Sequence, residues 1–316
     1  MGIIRIGHIS LRVTNLDAAR AHYKDVVGLY ETHRDRDGTT YYKCWDEWDK
    51  YSLILTPGRT PGANYVAFKV ENESDLDELS RRIRDYGVAV EQLPPATIPF
   101  TGRALSFRLP NTTRMVLFAE KERVGKNVSA VNPDPWPDDI HGCGVMHLDH
   151  CLLVAELDPV RGINKVAESA DFMTQVLDFQ LTERFLGGPR HELGMAFLTR
   201  SSKPHDLALV GGPRPGLHHV GFYLDSWDHV LRAADVMAKH RTRIDFGPTR
   251  HGITRGATIY FFDPSGNRNE TFAGLGYWVT RDMPVVDWTE EQVGRGIFYH
   301  SGVITETFRS EYTAAS

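Results

Sequence analysis

The chain has 316 residues, of which 41% are apolar and 24% charged, with 36 basic against 41 acidic side chains. That length exceeds one ordinary core and suits two domains of about 150 residues each, and the composition excludes disordered and fibrous classes. Acidic and basic residues are interspersed at a net charge of -5, so no basic face is offered to nucleic acid, and no stretch approaches the roughly 18 apolar residues of a membrane span.

The start, MGIIRIGHIS, lacks the apolar run and small-residue cleavage site of a signal peptide, and Ile6 breaks the myristoylation pattern. The three cysteines, Cys44, Cys143 and Cys151, are odd in number and show no CxxC spacing. With neither a disulfide framework nor a thiolate zinc site in view, a reducing cytoplasm is the expected location.

IGHISLRV (6–13) alternates with period two and predicts a strand. NLDAARAHYKDVVGL (15–29) follows as a helix, with Asn15 as N-cap and Gly28 as stop. Strands GTTYYKCW and YSLILTP come next. NYVAFKV (64–70) then opens a second copy of this arrangement, with helix SDLDELSRRIRDYG (74–87) capped by Ser74 and stopped by Gly87, and strands ALSFRLP and RMVLFAE. KERVGKNVSAVNPDPWPDDIHGCG (121–144), rich in Pro, Asp and Gly, reads as a linker. LDHCLLV (148–154) and LHHVGFYL (217–224) open a third and a fourth copy. GMAFLTR and DLALVGG belong to the third. Helix SWDHVLRAADVMAKH (226–240), capped by Ser226, and strands ATIYFFD and NETFAG belong to the fourth. The repeat predicts an α+β fold of four βαβββ-type modules paired into two domains, 1–120 and 146–276, joined by the linker 121–145. The tail, 277–316, is free to close over a site or to mediate assembly.

One face of the opening strands carries an apolar comb, Ile9, Leu11, Val13; Val66, Phe68, Val70; Val220, Phe222, Leu224, which should pack on the helices. The opposite face carries His8, Ser10; Tyr65, Ala67; His219, Gly221, where small neighbours leave room for a bound group. Alternation puts His219, not His218, on that face, and His150 likewise. The ends of modules two and four align as LPNTTRMVLFAE (109–120) against FDPSGNRNETFAG (262–274), which sets Val116 against Glu270. The C-terminal half thus offers His150, His219 and Glu270 where the N-terminal half has His8, Tyr65 and Val116, so only one half can hold a metal. Two imidazoles and one carboxylate with positions left open form the facial triad of non-haem Fe(II) and oxygen chemistry. Read from the residues alone, His205 can equally cap a turn, His251 can be a solvated loop histidine, and Tyr260 a half-buried strand tyrosine. A simple hairpin about the turn DPSGN places Tyr260 beside Glu270. His218, His229, His240 and His300 read as structural or surface residues.

The segments KPHDLALV (203–210), GLHHVGFYL (216–224), GPTRHGITRGATIYFFDPSGNRNETF (247–272) and GIFYH (296–300) resemble the type I extradiol dioxygenases of the vicinal oxygen chelate superfamily, and the four-module layout extends the resemblance over nearly the whole chain. The resemblance implies the vicinal oxygen chelate fold, one Fe(II) held by His150, His219 and Glu270, and His205 as an acid/base group. It implies that His251 and Tyr260 hydrogen-bond a substrate oxygen and that Phe197, Ile253, Ile297 and Phe308 line an aromatic pocket. The activity it implies is ring cleavage of catechol and alkylcatechols with O2 beside the diol, giving 2-hydroxymuconate-semialdehyde-type products, in a cytoplasmic homotetramer with no nucleic-acid or membrane partner. A glyoxalase-type isomerase would use a similar metal site without taking up oxygen. A metal-free ligand-sequestering module would need no triad.

Overall fold

The computed structural model describes residues 2–274 and 276–315. Its backbone forms two mixed sheets whose strands follow one another in the same order. In the first the order is Tyr30–Arg34, Thr40–Lys43, Leu53–Pro57, Ile3–Val13, Gly62–Val70, Arg114–Phe118, Ala104–Arg108, Glu91–Leu93. In the second it is Gln180–Gly187, Glu192–Thr199, Leu207–Gly212, His147–Asp158, Gly216–Leu224, Arg268–Ala273, Ala257–Phe262, Ile244–Arg250, with Val286–Trp288 added beyond Gln180–Gly187. In both sheets the two opening strands pair antiparallel at the centre, and each pairs in parallel with the last strand of its own module. Among the described residues no helix is long and apolar enough to cross a membrane.

The helices form where their ends are capped and one stripe is apolar. In Glu73–Asp85 the buried residues Leu76, Leu79, Ser80 and Ile83 recur at helical spacing. Its cap is Asn72 and not Ser74: Asp75 stands at the third helical position and accepts the Asn72 amide at 3.0 Å, closing a reciprocal capping box, and Ser74 lies inside the helix. Asn15 and Ser226 cap their helices, accepting from the amides of Ala18 and His229. The first helix runs as an α-helix over Leu16–Ala21 and widens to a π-helix over His22–Val27. Gly28 ends it at φ 93°, and a Cβ there would lie 2.3 Å from the His141 carbonyl oxygen. The third module contributes helix Lys165–Gln175.

The apolar combs of both sheets and the inner stripes of the helices merge into one continuous core that spans the two halves. Each fully buried Val, Leu or Phe in it contributes roughly 2 kcal/mol by leaving water. Polar contacts also cross between the halves: Tyr23 Oη lies 3.2 Å from Asp263 Oδ2 and from Asn269 Oδ1, and Asn269 Nδ2 donates to His22 Nε2 at 3.1 Å. A helix of the N-terminal half is thereby tied to the turn that precedes Glu270. The tail returns across the C-terminal sheet, and Ala314–Ala315 pairs with Gly62–Val70 of the other sheet.

Candidate metal centre

Register explains why the three candidate ligands meet. His150 lies opposite Gly221 in the central antiparallel pair, and Gly221 lies beside Glu270 in the parallel pair. The corresponding registers in the first sheet match His8 with Ala67 and Ala67 with Val116. His150 Nε2 is 2.8 Å from Glu270 Oε2, His219 Nε2 is 3.1 Å from the same oxygen, and the two imidazole nitrogens are 3.3 Å apart. All three residues are buried. Three donors at right angles about a metal at about 2.1 Å stand about 3.0 Å apart, whereas tetrahedral donors stand about 3.4 Å apart, so the observed triangle fits one face of an octahedron better.

The partners on the far side of each ligand suit the same purpose. His150 Nδ1 is 2.6 Å from Asp149 Oδ2, and Lys203 Nζ lies 3.0 Å from the other oxygen of that carboxylate. His219 Nδ1 is 2.8 Å from His218 Nδ1, whose Nε2 is 2.7 Å from the Phe308 carbonyl oxygen. To hold a metal through Nε2, His150 and His219 would carry their protons on Nδ1 and His218 on Nε2, and each of these contacts would then be a hydrogen bond. Thr258 donates to Glu270 Oε1. Neither Asp149 nor His218 follows from strict alternation, because the central pair is bulged: its register skips Asp149 on one strand and His218 on the other, and consecutive side chains come within reach of one another.

The electrostatics of the cluster follow from its burial and from the charges packed around Glu270. Burial alone would raise the Glu270 pKa, yet the adjacent His150 and the hydrogen bonds from His150, His219 and His251 hold it well below the usual carboxylate range. Burial pulls His150 down, but Glu270 and Asp149 outweigh it and lift the imidazole to about 9. His219 is lowered to about 4, chiefly by burial.

One cavity collects the remaining candidates. Its wall includes the triad, His205, His251, Tyr260, Phe197, Ile253, Ile297 and Phe308, together with Leu152, Thr254 and Phe272. His205 faces the candidate ligand His150, with ring centroids 4.2 Å apart. Tyr260 lies opposite Glu270 across the hairpin, and its hydroxyl is 2.8 Å from His251 Nε2, while His251 Nδ1 bonds the Ile297 carbonyl. The tail brings Ile297 and Phe308 into the wall from helices Val293–Ile297 and Glu306–Ser310. Arg268, fully buried, fastens the second of these by donating to the Thr307 and Glu311 carbonyls. The N-terminal counterpart is filled from within: Lys121 Nζ is 3.0 Å from His8 Nδ1, Tyr65 Oη is 3.3 Å from His8 Nε2, and the rings of Tyr51 and Phe118 close around them.

Comparison with known proteins gives a consistent result. Residues 147–271 match the Glyoxalase/Bleomycin resistance protein/Dioxygenase superfamily, and residues 63–122 match the Catechol 2,3-dioxygenase-like N-terminal domain. The metapyrocatechase of Pseudomonas sp. (strain CF600) is 40% identical over 99% of both chains. A manganese-dependent 2,3-dihydroxybiphenyl 1,2-dioxygenase from Geobacillus genomosp. 3 is 28% identical over 94% of both. Among solved structures, the 2,3-dioxygenase LapB from Pseudomonas sp. KL28 superposes with a TM-score of 0.86 at 41% identity, covering 92% of this chain and 98% of that one. Homoprotocatechuate 2,3-dioxygenase from Brevibacterium fuscum, in complex with 3,4-dihydroxyphenylacetate, superposes at 0.85 with 25% identity, covering 99% and 93%.

Proposed function

Because the chain belongs to the extradiol dioxygenases of the vicinal oxygen chelate superfamily, in the family of the metapyrocatechases, we propose that it opens catechol and alkylcatechols with O2 at an Fe(II) held by His150, His219 and Glu270. Extradiol ring cleavage is the chemistry of that family, and the metapyrocatechase 40% identical to this chain points to catechol as the substrate. The observation that carries the metal assignment is the triangle of donor atoms, 2.8, 3.1 and 3.3 Å on its edges, at the floor of a cavity walled by apolar side chains.

A metal on that face supplies open positions for a chelating diol and for oxygen, together with the electron transfer that lets the two react. The chain's own residues bind, orient and move protons. Tyr260, which burial and the charge of Glu270 keep protonated, with a pKa well above 10, donates a hydrogen bond to one diol oxygen. His251, whose Nδ1–H donates to the Ile297 carbonyl, keeps the Nε2 lone pair that faces the Tyr260 hydroxyl at 2.8 Å, and so accepts a proton or hydrogen bond from the diol hydroxyl. His205 is held neutral chiefly by burial, so it has a ring nitrogen free to take a substrate proton and return it to the leaving oxygen. Phe197, Ile253, Ile297 and Phe308 exclude water and press on the ring.

No Arg or Lys lines the cavity among the described residues. A carboxylate on the ring would therefore be buried without a partner, which favours catechol and its alkyl derivatives over carboxylated ones. Product of the 2-hydroxymuconate-semialdehyde type, a cytoplasmic location and a homotetrameric assembly complete this reading. The manganese-dependent relative gives a second metal a claim on the site. Reconstituting metal-free protein with Fe(II) or Mn(II) and measuring oxygen consumed per bound metal separates the two: the Fe(II) reading requires turnover with Fe(II), and activity confined to Mn(II) overturns it.

A further inference from the structure

Outside the cavity stands a buried carboxylate that the chemistry above does not use. Glu183, 1% exposed, lies in strand Gln180–Gly187. It forms no ion pair among the described residues. A buried carboxylate is stable only when its oxygens are hydrogen-bonded, and here three neutral donors converge on it. The Thr254 amide and Tyr277 hydroxyl reach Oε1 at 2.7 and 2.8 Å, and Trp288 Nε1 reaches Oε2 at 2.7 Å.

These donors belong to parts of the chain that meet at the cavity wall. Thr254 follows His251 and Ile253 in the substrate loop. It and Arg255 adopt φ of 60° and 61°, a left-handed conformation that a β-branched residue keeps only when its surroundings hold it. The loop also donates from the Gly252 and Ile253 amides to the Gly296 carbonyl, at 2.8 and 2.9 Å, next to Ile297. Trp288 lies in the tail strand paired with Gln180–Gly187, and a Cβ at either Gly252 or Gly296 would stand 3.0 Å from its ring.

We propose that Glu183 is a positioning residue: by gripping the Thr254 amide and the Trp288 indole together, it seats the loop carrying His251 and Ile253 against the tail helix carrying Ile297, and so sets the shape of the substrate pocket. The kinetic side of this inference rests on the catechol reading, and a second readout does not.

The test uses the full-length, metal-loaded protein. Glu183→Gln preserves size, but whichever way the amide turns, one N–H is left facing another. Hydrogen exchange in a peptide covering residues 251–256 should become about tenfold faster, and KM for catechol should rise about tenfold with a smaller change in kcat, the equivalent of one lost buried hydrogen bond. Metal content should stay unchanged. Adding Trp288→Phe removes the opposed indole donor, so the double variant should recover part of the KM lost in Glu183→Gln. Unchanged exchange and KM in a metal-loaded Glu183→Gln protein, loss of its metal, or strictly multiplicative effects in the double variant would overturn the proposal. If Glu183→Gln does not fold, Trp288→Phe alone decides, with faster loop exchange supporting the proposal and wild-type exchange contradicting it. A wild-type protein inert towards every catechol would defeat the catechol reading and leave the exchange test of Glu183 standing.

Discussion

Gly221 and His150 face each other so closely that a Cβ on the glycine would lie 2.4 Å from His150 Cε1 and 2.7 Å from both ring nitrogens. The space above Gly221 is therefore what the His150 imidazole occupies in reaching Glu270. Gly221→Ala should cost about 1 to 3 kcal/mol of overpacking at the ring, weakening metal binding by roughly 5- to 150-fold while the fold persists. Metal retained after dialysis against a graded chelator measures this. Wild-type retention would mean that His150 can hold the metal from another rotamer.

His205 touches the ring of His150 but is not one of the three donors. His205→Asn should keep the metal and bind catechol anaerobically, because neither step needs its proton. Turnover should fall by about 100-fold or more, the usual loss for a positioned acid/base group. Single-turnover mixing of the catechol complex with oxygen makes the comparison, and a wild-type rate of product formation would assign His205 a structural role.

Much of this site was legible in the sequence because the repeat supplied a register. Equal spacing in the two halves set Val116 against Glu270, and the hairpin about DPSGN set Tyr260 beside it; pairing of Tyr260 with Glu270 is what the sheet contains. Alternation failed at the bulges, where Asp149 and His218 join the ligand rings out of phase. It also could not show Lys121 filling the N-terminal counterpart, since that contact joins residues 113 positions apart. Glu183 was illegible for the same reason: its donors lie 71, 94 and 105 residues downstream and no local pattern links them. The capping residue of Glu73–Asp85 shifted to Asn72 because the reciprocal acceptor is Asp75.

Ile253 is 2% exposed, and its Cδ1 lies 3.3 Å from where a Cβ on Gly296 would stand, so the wall has little slack there. Enlarging it by Ile253→Phe should change the ratio of kcat/KM for 3- or 4-methylcatechol to that for catechol by about 1 to 3 kcal/mol of discrimination, roughly 5- to 150-fold. Parallel kinetics on the three substrates read the ratio. Identical ratios for both methyl isomers would remove Ile253 from the substrate-facing wall.

Burial and the charge of His240 push the pKa of His22 down to about 3. The unfolded chain takes up a proton at this residue below about 6.5 while the folded chain stays neutral there, so stability present above that pH is lost as the pH falls towards 3. Between pH 7 and pH 5 the loss attributable to His22 is roughly 2 kcal/mol. His22→Gln should flatten the pH dependence of the urea unfolding free energy by that amount. An unchanged slope would show that His22 takes up its proton at the same pH in the folded as in the unfolded protein.

The most direct measurement is the reaction of the anaerobic complex of Fe(II)-loaded protein and catechol with labelled oxygen. One O2 should be consumed per catechol, both atoms should enter the product, and the product should be 2-hydroxymuconate semialdehyde, with Glu270→Ala forming none. A ring opened between the two hydroxyl-bearing carbons, or catechol returned intact with no oxygen consumed, would contradict extradiol cleavage at the His150, His219 and Glu270 face.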